Sequence, residues 1–253
     1  MAIEFRTTPG IVAYITAGDP DLATTREICL AAIDNGADVI ELGVPFSDPL
    51  ADGPVIQRAS ERAVARGVRL TDVLQIAKEL RAARPACGLV LFSYLNPVVR
   101  MGMKQFCAAA KEAGADGVLL TDMIVEEAGE YLAEMQANDL APIFLAAPTS
   151  PDARLKAIGA ASKGFVYAIS RVGITGTQDK VASDAPELAA RLRKFTTLPI
   201  AVGFGISNAE HVKAVGEFAD AAIIGSALVA LIEKTAPAEA AAAVGEFIAG
   251  LRL

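Results

Sequence analysis

The 253-residue sequence contains no tryptophan, and aromatic residues make up only 6% of it. A core must therefore be built from aliphatic side chains, which agrees with a hydrophobic content of 53%. The three cysteines, Cys29, Cys87 and Cys107, are too far apart in sequence to form a CxxC metal or redox motif. We expect them to be buried thiols without a chemical role.

There is a single histidine, His211. This count excludes a metal site built from several histidines, and any His-based catalytic triad would have to use this one residue. His211 lies among charged residues of a predicted helix, so we expect it to be a solvated surface side chain. No metal site is predicted.

Long hydrophobic runs and basic blocks are also missing. The longest clearly apolar stretch, 221–232, is much shorter than the roughly 20 residues that a membrane-spanning helix needs. No basic segment followed by an apolar run opens the sequence, so we expect a cytoplasmic protein. The net charge of -7 argues against nucleic acid or a membrane as the main partner.

Short apolar runs alternate with segments of helical spacing along the whole chain. This alternation predicts a parallel sheet, and eight such units in about 250 residues are typical of a (β/α)8 TIM barrel. We therefore predict an α/β fold, with residues 1–253 forming a single barrel domain; a doubly wound sheet is the alternative. The predicted strands are 11–16, 38–42, 88–93, 116–121, 142–146, 164–168, 199–202 and 221–224. The clearest helical segments are 23–35, 71–84, 104–113, 125–138 and 208–218.

Two acidic residues are candidates for chemistry at the carboxyl end of the second strand. Glu41 interrupts an apolar strand, where an ionised carboxylate is costly unless it is paired or kept protonated. Asp52 follows in a loop with three prolines, which is suited to hold one shape. Two carboxyl groups in different environments can carry acid/base chemistry without histidine. A structural ion pair for Glu41 and a turn-forming role for Asp52 are the alternatives.

Three later loops predict an anion site. They are 170–177, which continues to Asp184, then 203–207, and finally 225–227 at the start of a helix. Glycine-containing loops after the seventh and eighth strands of a barrel commonly bind phosphate through backbone N–H groups and a helix N-terminus. Simple tight turns are the alternative interpretation.

Several of these segments resemble the tryptophan synthase alpha subunit family. The most specific is 41–54 (ELGVPFSDPLADGP), and further matches are 14–20, 94–97, 141–148, 167–176, 203–207 and 225–226. The resemblance runs from about residue 11 to the C-terminal helix. It implies a (β/α)8 barrel that cleaves indole-3-glycerol phosphate to indole and glyceraldehyde 3-phosphate in tryptophan biosynthesis. It also implies an alpha2beta2 complex with a beta subunit, which carries pyridoxal phosphate, while this chain itself carries no cofactor.

The resemblance also assigns roles to individual residues. Glu41 would be the main acid/base, Asp52 would stabilise positive charge on the indole nitrogen, and Tyr167 would lie against the same pocket. The positions that would line the indole or glycerol site are Tyr14, Phe92, Leu119, Thr121 and Thr175. Those that would bind phosphate are Gly176, Phe204, Gly205, Gly225 and Ser226.

Two positions depart from the family pattern. Ten residues precede Ile11, where family members usually carry a helix that caps the bottom of the barrel, and Ile124 stands where the family commonly has proline. Alternatives to the two-subunit synthase are a free-standing indole-3-glycerol phosphate lyase, a non-catalytic partner of a beta subunit, and another phosphate-binding barrel such as a sugar-phosphate isomerase. Intact Glu41 and Asp52 argue against the non-catalytic partner.

Overall fold

The computed structural model describes residues 3–169, 184–203 and 205–252. In these residues the strands are β1 (Gly10–Thr16), β2 (Val39–Gly43), β3 (Gly88–Ser93), β4 (Gly117–Leu120), β5 (Ala141–Ile143), β6 (Leu145–Ala146), β7 (Val166–Ile169), β8 (Ile200–Gly203) and β9 (Ala221–Ile224). The helices are α1 (Leu22–Asp34), α2 (Pro54–Ala65), α3 (Leu70–Ala83), α4 (Leu95–Met101), α5 (Met103–Glu112), α6 (Gly129–Ala137), α7 (Asp152–Ala161), α8 (Ala185–Leu192), α9 (Ala209–Gly216), α10 (Ser226–Lys234) and α11 (Pro237–Leu251). A 3-10 turn covers Val125–Glu127.

The strands form one parallel sheet in the order β5-β4-β3-β2-β1-β9-β8-β7-β6. Only Phe144 separates β5 from β6, so one continuous stretch of chain pairs with β4 at its start and with β7 at its end. The sheet thereby closes on itself, and the predicted TIM barrel is confirmed. The predicted fifth strand is broken at Phe144, and Pro142 within it has no N–H to donate to a neighbouring strand.

The residues inside the barrel are mostly aliphatic and differ from those that face the helices. Because side chains alternate along a strand, Val39 points inward while Ile40 and Leu42 point outward. The inner cluster fills the lower part of the barrel and contains Val12, Val39, Val90, Leu119, Ile143, Phe165, Ala201, Ala221 and Ile223. The upper part is left for a site at the carboxyl ends of the strands.

The bottom of the barrel is closed by residues that precede β1 and form no helix. Ile3 is buried in the inner cluster, and Phe5 packs beside it with its ring centroid 6.0 Å from that of Phe165. Gly10 makes room for this segment, since a β-carbon there would lie 2.4 Å from the Phe5 ring. Two apolar side chains from the segment before β1 thus close the bottom of the barrel.

Aspartates join neighbouring strands at the bottom of the barrel, and two of them, Asp38 and Asp116, are buried. Each comes just before a strand, accepts the backbone N–H of a residue near the start of an adjacent strand, and pairs with arginine. The backbone N–H groups are those of Ile11 for Asp38, Leu89 for Asp116 and Ile200 for Asp220. The arginines are Arg6 and Arg252 for Asp38, Arg81 for Asp116 and Arg193 for Asp220. Two of them end the Gly-Ala-Asp sequences at 36–38 and 114–116. The repeated tripeptide therefore marks a repeated strand-joining contact.

The helices provide the outer layer. Two of them exceed the predicted alternation of one helix per strand: α2 is an additional helix between β2 and α3, and α4 is an additional helix between β3 and α5. Within the described residues, no helix is both long enough and apolar enough to cross a membrane.

We expect Asp38→Ala to lower the free energy of unfolding by about 2–4 kcal/mol, because it leaves the Ile11 N–H and two arginines without their buried acceptor. The midpoint of urea unfolding, followed by circular dichroism, measures this change. The matched control is Asp34→Ala, which removes an equally short but exposed pair with Arg84 and should cost less than about 1 kcal/mol. Equal losses in both variants would contradict the role given to Asp38.

Candidate active site

A cavity of about 130 Å³ opens at the carboxyl ends of the strands. Strand residues form its floor, the loop after β2 and the start of α2 form one wall, and the segments after β8 and β9 form another. The lining residues are Tyr14, Glu41, Ala51, Asp52, Gly53, Ile56, Phe92, Thr121, Leu145, Tyr167, Ile169, Gly205, Ile206, Ser207, Ile223, Gly225, Ser226 and Ala227. This surface is mostly apolar, with two carboxyl groups and a few hydroxyls.

Glu41 lies at the floor of the cavity. It is opposite Tyr14 of β1 and Val90 of β3 in the sheet register, and it is fully buried. Neither of its carboxyl oxygens has a hydrogen-bond partner within the described part of the chain, and no described residue forms the structural ion pair considered as the alternative. Burial raises the pKa of Glu41 to about 8. Near neutral pH the group therefore holds a proton that it can donate into the cavity.

Asp52 enters the cavity from the loop between β2 and α2. The Tyr94 hydroxyl donates to its Oδ2 over 3.1 Å and accepts the N–H of Ala51 over 2.9 Å, which fixes both the carboxyl group and the loop. Burial raises the pKa of Asp52 to about 6, and the bond from Tyr94 acts in the opposite direction. Asp52 is therefore mostly ionised at neutral pH while Glu41 is mostly protonated.

Aromatic rings cover the two carboxyl groups. Tyr14 and Phe92 meet nearly edge to face, with ring centroids 5.0 Å apart, and Tyr167 lines the cavity from β7. Burial, followed by the nearby carboxyl groups, raises the pKa of the Tyr14 and Tyr167 hydroxyls well above the usual value, so both stay protonated. Each hydroxyl occupies space beside a glycine: a β-carbon on Gly43 would lie 2.4 Å from that of Tyr14, and one on Gly203 would lie 2.4 Å from that of Tyr167.

The opposite wall has the features of an anion site. Gly205, in the loop after β8, has a φ of +70°, and Gly225 and Ser226 open helix α10, whose first N–H groups have no acceptor within the helix. No lysine or arginine is among the cavity-lining residues in the parts of the chain that the structure describes. An anion here would be bound by backbone N–H groups, the Ser226 hydroxyl and the helix dipole.

Comparison with known proteins agrees with this geometry. A model of the tryptophan synthase alpha chain family matches residues 2–250. A tryptophan synthase alpha chain from Burkholderia pseudomallei (strain K96243) is 50% identical over 244 residues, which cover 96% of this chain and 90% of that protein. The chain belongs to the tryptophan synthase alpha chain family. This membership argues against an unrelated phosphate-binding barrel such as a sugar-phosphate isomerase.

Solved structures show the same fold in members of this family. Tryptophan synthase from Mycobacterium tuberculosis superposes with a TM-score of 0.89 at 37% identity, covering 97% of this chain and 93% of that chain. The tryptophan synthase a2b2 complex from the hyperthermophile Pyrococcus furiosus gives a TM-score of 0.90 at 37% identity, covering 96% of this chain and 98% of that chain.

The structure brings most of the site residues predicted from the alpha chain motifs to one cavity: Tyr14, Glu41, Asp52, Phe92, Thr121, Tyr167, Gly205, Gly225 and Ser226. Leu119 is fully buried in the inner cluster below and does not line the cavity. Thr175, Gly176 and Phe204 lie outside the described residues. For all of these positions, the roles in binding and catalysis stay predictions.

Two residues differ from what the sequence predicted. Tyr94, which lies in the matched segment 94–97, was not a predicted site residue but contacts Asp52 directly. The only indication of this role in the sequence is its position just after a strand. His211 is only 6% exposed, so the prediction of a solvated surface side chain was wrong. Its backbone N–H donates to the Asn208 side chain, and Nδ1 of its ring lies 3.4 Å from the Ser207 backbone nitrogen. Among the described residues, no group of three or more His, Cys, Asp or Glu is arranged to hold a metal ion.

We expect Glu41→Gln to become progressively more stable than the wild type as pH rises from about 5 to 8. The folded wild type binds the Glu41 proton with a pKa of about 8, whereas the usual value is 4.5. This proton therefore contributes its full stabilisation to the wild type below about pH 4.5, and the contribution is lost as pH rises toward 8, by on the order of a few kcal/mol in total. Glutamine has no proton to lose, so the variant lacks this pH dependence. Urea unfolding of both proteins at several pH values measures the difference.

Glu61→Gln, at an exposed position of α2, is the matched control and should follow the wild type at every pH. A constant stability difference between Glu41→Gln and the wild type across this range would contradict the raised pKa.

Proposed function

We propose that this chain is the alpha subunit of tryptophan synthase. It would cleave indole-3-glycerol phosphate to indole and glyceraldehyde 3-phosphate, with its 253 residues forming one barrel domain. The observation that carries the proposal is the pair of carboxyl groups, Glu41 and Asp52, which share one cavity but have pKa values of about 8 and about 6. At neutral pH this pair offers one proton donor and one anion to the same bound molecule.

The substrate fits the two walls of the cavity. The apolar and aromatic part, with Tyr14, Phe92, Leu145 and Ile223, suits an indole ring, and the segments with Gly205, Gly225 and Ser226 suit a phosphate. The same proposal includes Tyr167 and Thr121 beside the glycerol chain, and Leu119 as support beneath the ring. It also includes Thr175 in the substrate site, and Gly176 and Phe204 among the phosphate contacts.

The reaction needs one proton to move from the substrate hydroxyl to the ring. Protonated Glu41 gives its proton to C3 of the indole, and the positive charge that forms at the ring nitrogen is stabilised by the Asp52 carboxylate, which accepts the ring N–H. The Glu41 carboxylate then takes the proton of the hydroxyl next to the ring. The carbon-carbon bond breaks as the aldehyde forms, its electron pair returns to the indole, and Glu41 ends the cycle protonated as it began.

Exposed apolar side chains at the catalytic face support a partner protein. Leu50 is 90% exposed, Val99 is 60% exposed and Ile124 is 45% exposed, and they follow the neighbouring strands β2, β3 and β4. Large apolar groups in such positions are typical of protein interfaces. We therefore propose an alpha2beta2 complex, like the a2b2 complex of the Pyrococcus furiosus relative, rather than a free-standing lyase. The beta subunit of the proposed complex would carry pyridoxal phosphate. The chemistry assigned to this chain is carried by its own carboxyl groups.

Ile124 is compatible with that interface although the family commonly has proline there. Its φ of −88° and ψ of 146° lie close to the polyproline conformation, so the chain follows a similar path with either residue. A cytoplasmic location is part of the proposal. It is supported by Cys29, Cys87 and Cys107, which are all free thiols, as is usual in reducing compartments.

We expect Glu41→Gln to lower kcat/KM for indole-3-glycerol phosphate by about 10²–10⁴-fold, because it removes the group that moves the proton. Asp52→Asn should lower it by about 10²–10³-fold through the loss of charge stabilisation. Indole formation by the complex with the beta subunit measures both, and Glu61→Gln is the control that should keep full activity. Full activity in Glu41→Gln would contradict the assigned role, and a wild-type complex that forms no indole would contradict the proposed function.

The wild-type kcat/KM should follow a bell-shaped pH profile. Asp52 must be ionised, so activity falls as pH drops below about 6, and Glu41 must be protonated, so activity falls as pH rises above about 8. Initial rates at low substrate concentration across this range measure the profile. A profile that is flat through both limits would contradict the assignment of donor and anion.

Leu50→Asp should weaken binding of the beta subunit by roughly 10- to 100-fold, because a charged group would be buried at the interface. Titration calorimetry with purified beta subunit measures the affinity. Val64→Asp is the matched control, since Val64 is also an exposed aliphatic residue, at 39%, but lies in the last turn of α2. Equal weakening by both substitutions would argue against an interface at Leu50.

A further inference from the structure

One arginine of α2 bridges the loop after β1 to the far end of α10. The Nε and Nη2 atoms of Arg62 donate to the two carboxyl oxygens of Asp19 over 2.9 and 2.7 Å, and its Nη1 donates to Glu233 over 2.7 Å. Arg58, one turn earlier, donates twice to the same Glu233, over 2.9 and 2.7 Å. We call Asp19, Arg58, Arg62 and Glu233 the arginine bridge.

The segments joined by the bridge carry different walls of the cavity. Asp52 and Gly53 lead directly into α2, and the Gln57 side chain of α2 donates to the backbone oxygen of Asp52 over 2.8 Å. Ser226 is the first residue of α10, and Tyr14 lies in β1 shortly before Asp19. A shift of α2 against α10 would therefore change the distance between the Asp52 carboxylate and the anion site.

The buried apolar side chains that α2 and α10 contribute to the cluster beneath the bridge are small. They are Ala59 of α2 and Val229 of α10, which are buried with Tyr14, while Val55, Ile56 and Phe92 pack against the cluster and are only partly buried. Small side chains allow close approach of two helices but give little resistance to sliding. The charged contacts above them are directional, because a guanidinium that binds one carboxylate through two parallel bonds fixes its orientation.

Burial strengthens the contact with the loop after β1. The Asp19 side chain is 5% exposed, so its bonds to Arg62 are shielded from water. At the other end, hydrogen bonds from Arg58 and Arg62 lower the pKa of Glu233 to about 2, which keeps it ionised. Glu233 thus keeps its charge throughout the pH range in which the carboxyl pair of the cavity changes protonation.

We infer that Arg62 is a positioning residue of the lyase reaction, which fixes the separation between Asp52 and the anion-binding start of α10. The inference rests on the proposed function, because it concerns a substrate that must reach both walls at once. Asp52 holds the ring end and α10 holds the phosphate end. Cleavage requires that the carbon-carbon bond between the indole ring and the glycerol chain be held over Glu41.

This role predicts a difference between a whole substrate and a fragment. Glycerol 3-phosphate contacts only the anion site and the cavity near it, so its binding does not depend on where Asp52 lies. Indole-3-glycerol phosphate spans both walls, and misplacement of reacting groups by about 1 Å can cost about 10²-fold in rate. Loss of a residue that only stabilised the fold would lower turnover of the substrate and binding of glycerol 3-phosphate in parallel.

The experiment uses the full chain in complex with the beta subunit and compares Arg62→Met with the wild type. Methionine keeps much of the apolar stem of the side chain and removes both ion pairs. We expect kcat/KM for indole-3-glycerol phosphate to fall by about 10²-fold, mostly in kcat. The inhibition constant of glycerol 3-phosphate should stay close to that of the wild type.

Two further variants test the bridge from its other end. Glu233→Ala releases α10 but leaves the buried pair between Arg62 and Asp19, so it should fold and lose activity in kcat even if Arg62→Met fails to fold. Arg58→Met removes a pair with the same Glu233 but leaves Arg62 joined to both partners, so it is the matched control and should keep the wild-type kcat.

Each remaining outcome would overturn the inference. It fails if folded Arg62→Met or Glu233→Ala retains the wild-type kcat. It also fails if glycerol 3-phosphate binding falls in parallel with turnover, or if Arg58→Met is as damaging as Glu233→Ala, since either result indicates general loss of structure. A wild-type complex without turnover would overturn the proposed function and this inference with it, whereas active wild type with unaffected variants would overturn the inference alone.

Discussion

Side chains alternate between the two faces of each strand, and in a closed barrel one face is the inside of a cylinder. Ile40 and Leu42 must face the helices, so Glu41 between them must face inward, where no partner among the described residues meets its carboxyl oxygens. Burying that group costs free energy, and the aliphatic packing on the inner and outer faces of the barrel has to offset this cost. A shift of β2 by one residue would turn Glu41 toward the helices, so the chemistry depends on the register of this strand.

Much of this arrangement could be predicted from sequence, because periodicity reports which face a residue occupies. The alternation of strands and helices predicts the barrel, and the alternation of side chains places Glu41 on the opposite face of β2 from Ile40 and Leu42. That this face is the inside of the barrel is seen only in the structure. The closure of the bottom by Ile3 and Phe5, the break at Phe144 and the burial of His211 depend on tertiary contacts that no local pattern encodes. The bond from Tyr94 to Asp52 spans 42 residues of chain, so only its position after a strand hinted at a role.

The wall of the cavity that contains Gly205, Gly225 and Ser226 is the one that we propose to bind phosphate in this acidic protein. The donors that its described residues offer are backbone N–H groups and one serine, and no lysine or arginine lines the described part of the cavity. A fixed cation within about 4–6 Å of Glu41 would favour the ionised carboxylate and lower its pKa. Binding the phosphate through dipoles instead leaves Glu41 able to hold its proton. The net charge of the protein therefore depends on its charged side chains, whereas its proposed affinity for an anion depends on local backbone N–H groups.

The carboxylate of Asp38 accepts from Arg6, which lies 32 residues before it, and from Arg252, which lies 214 residues after it. During synthesis Arg6 precedes Asp38, whereas Arg252 emerges from the ribosome only after all the described strands of the barrel have been made. The set of partners of Asp38 at the bottom of the barrel therefore stays incomplete until α11 has been synthesised. A nascent barrel can collapse early but gains this stabilising contact late.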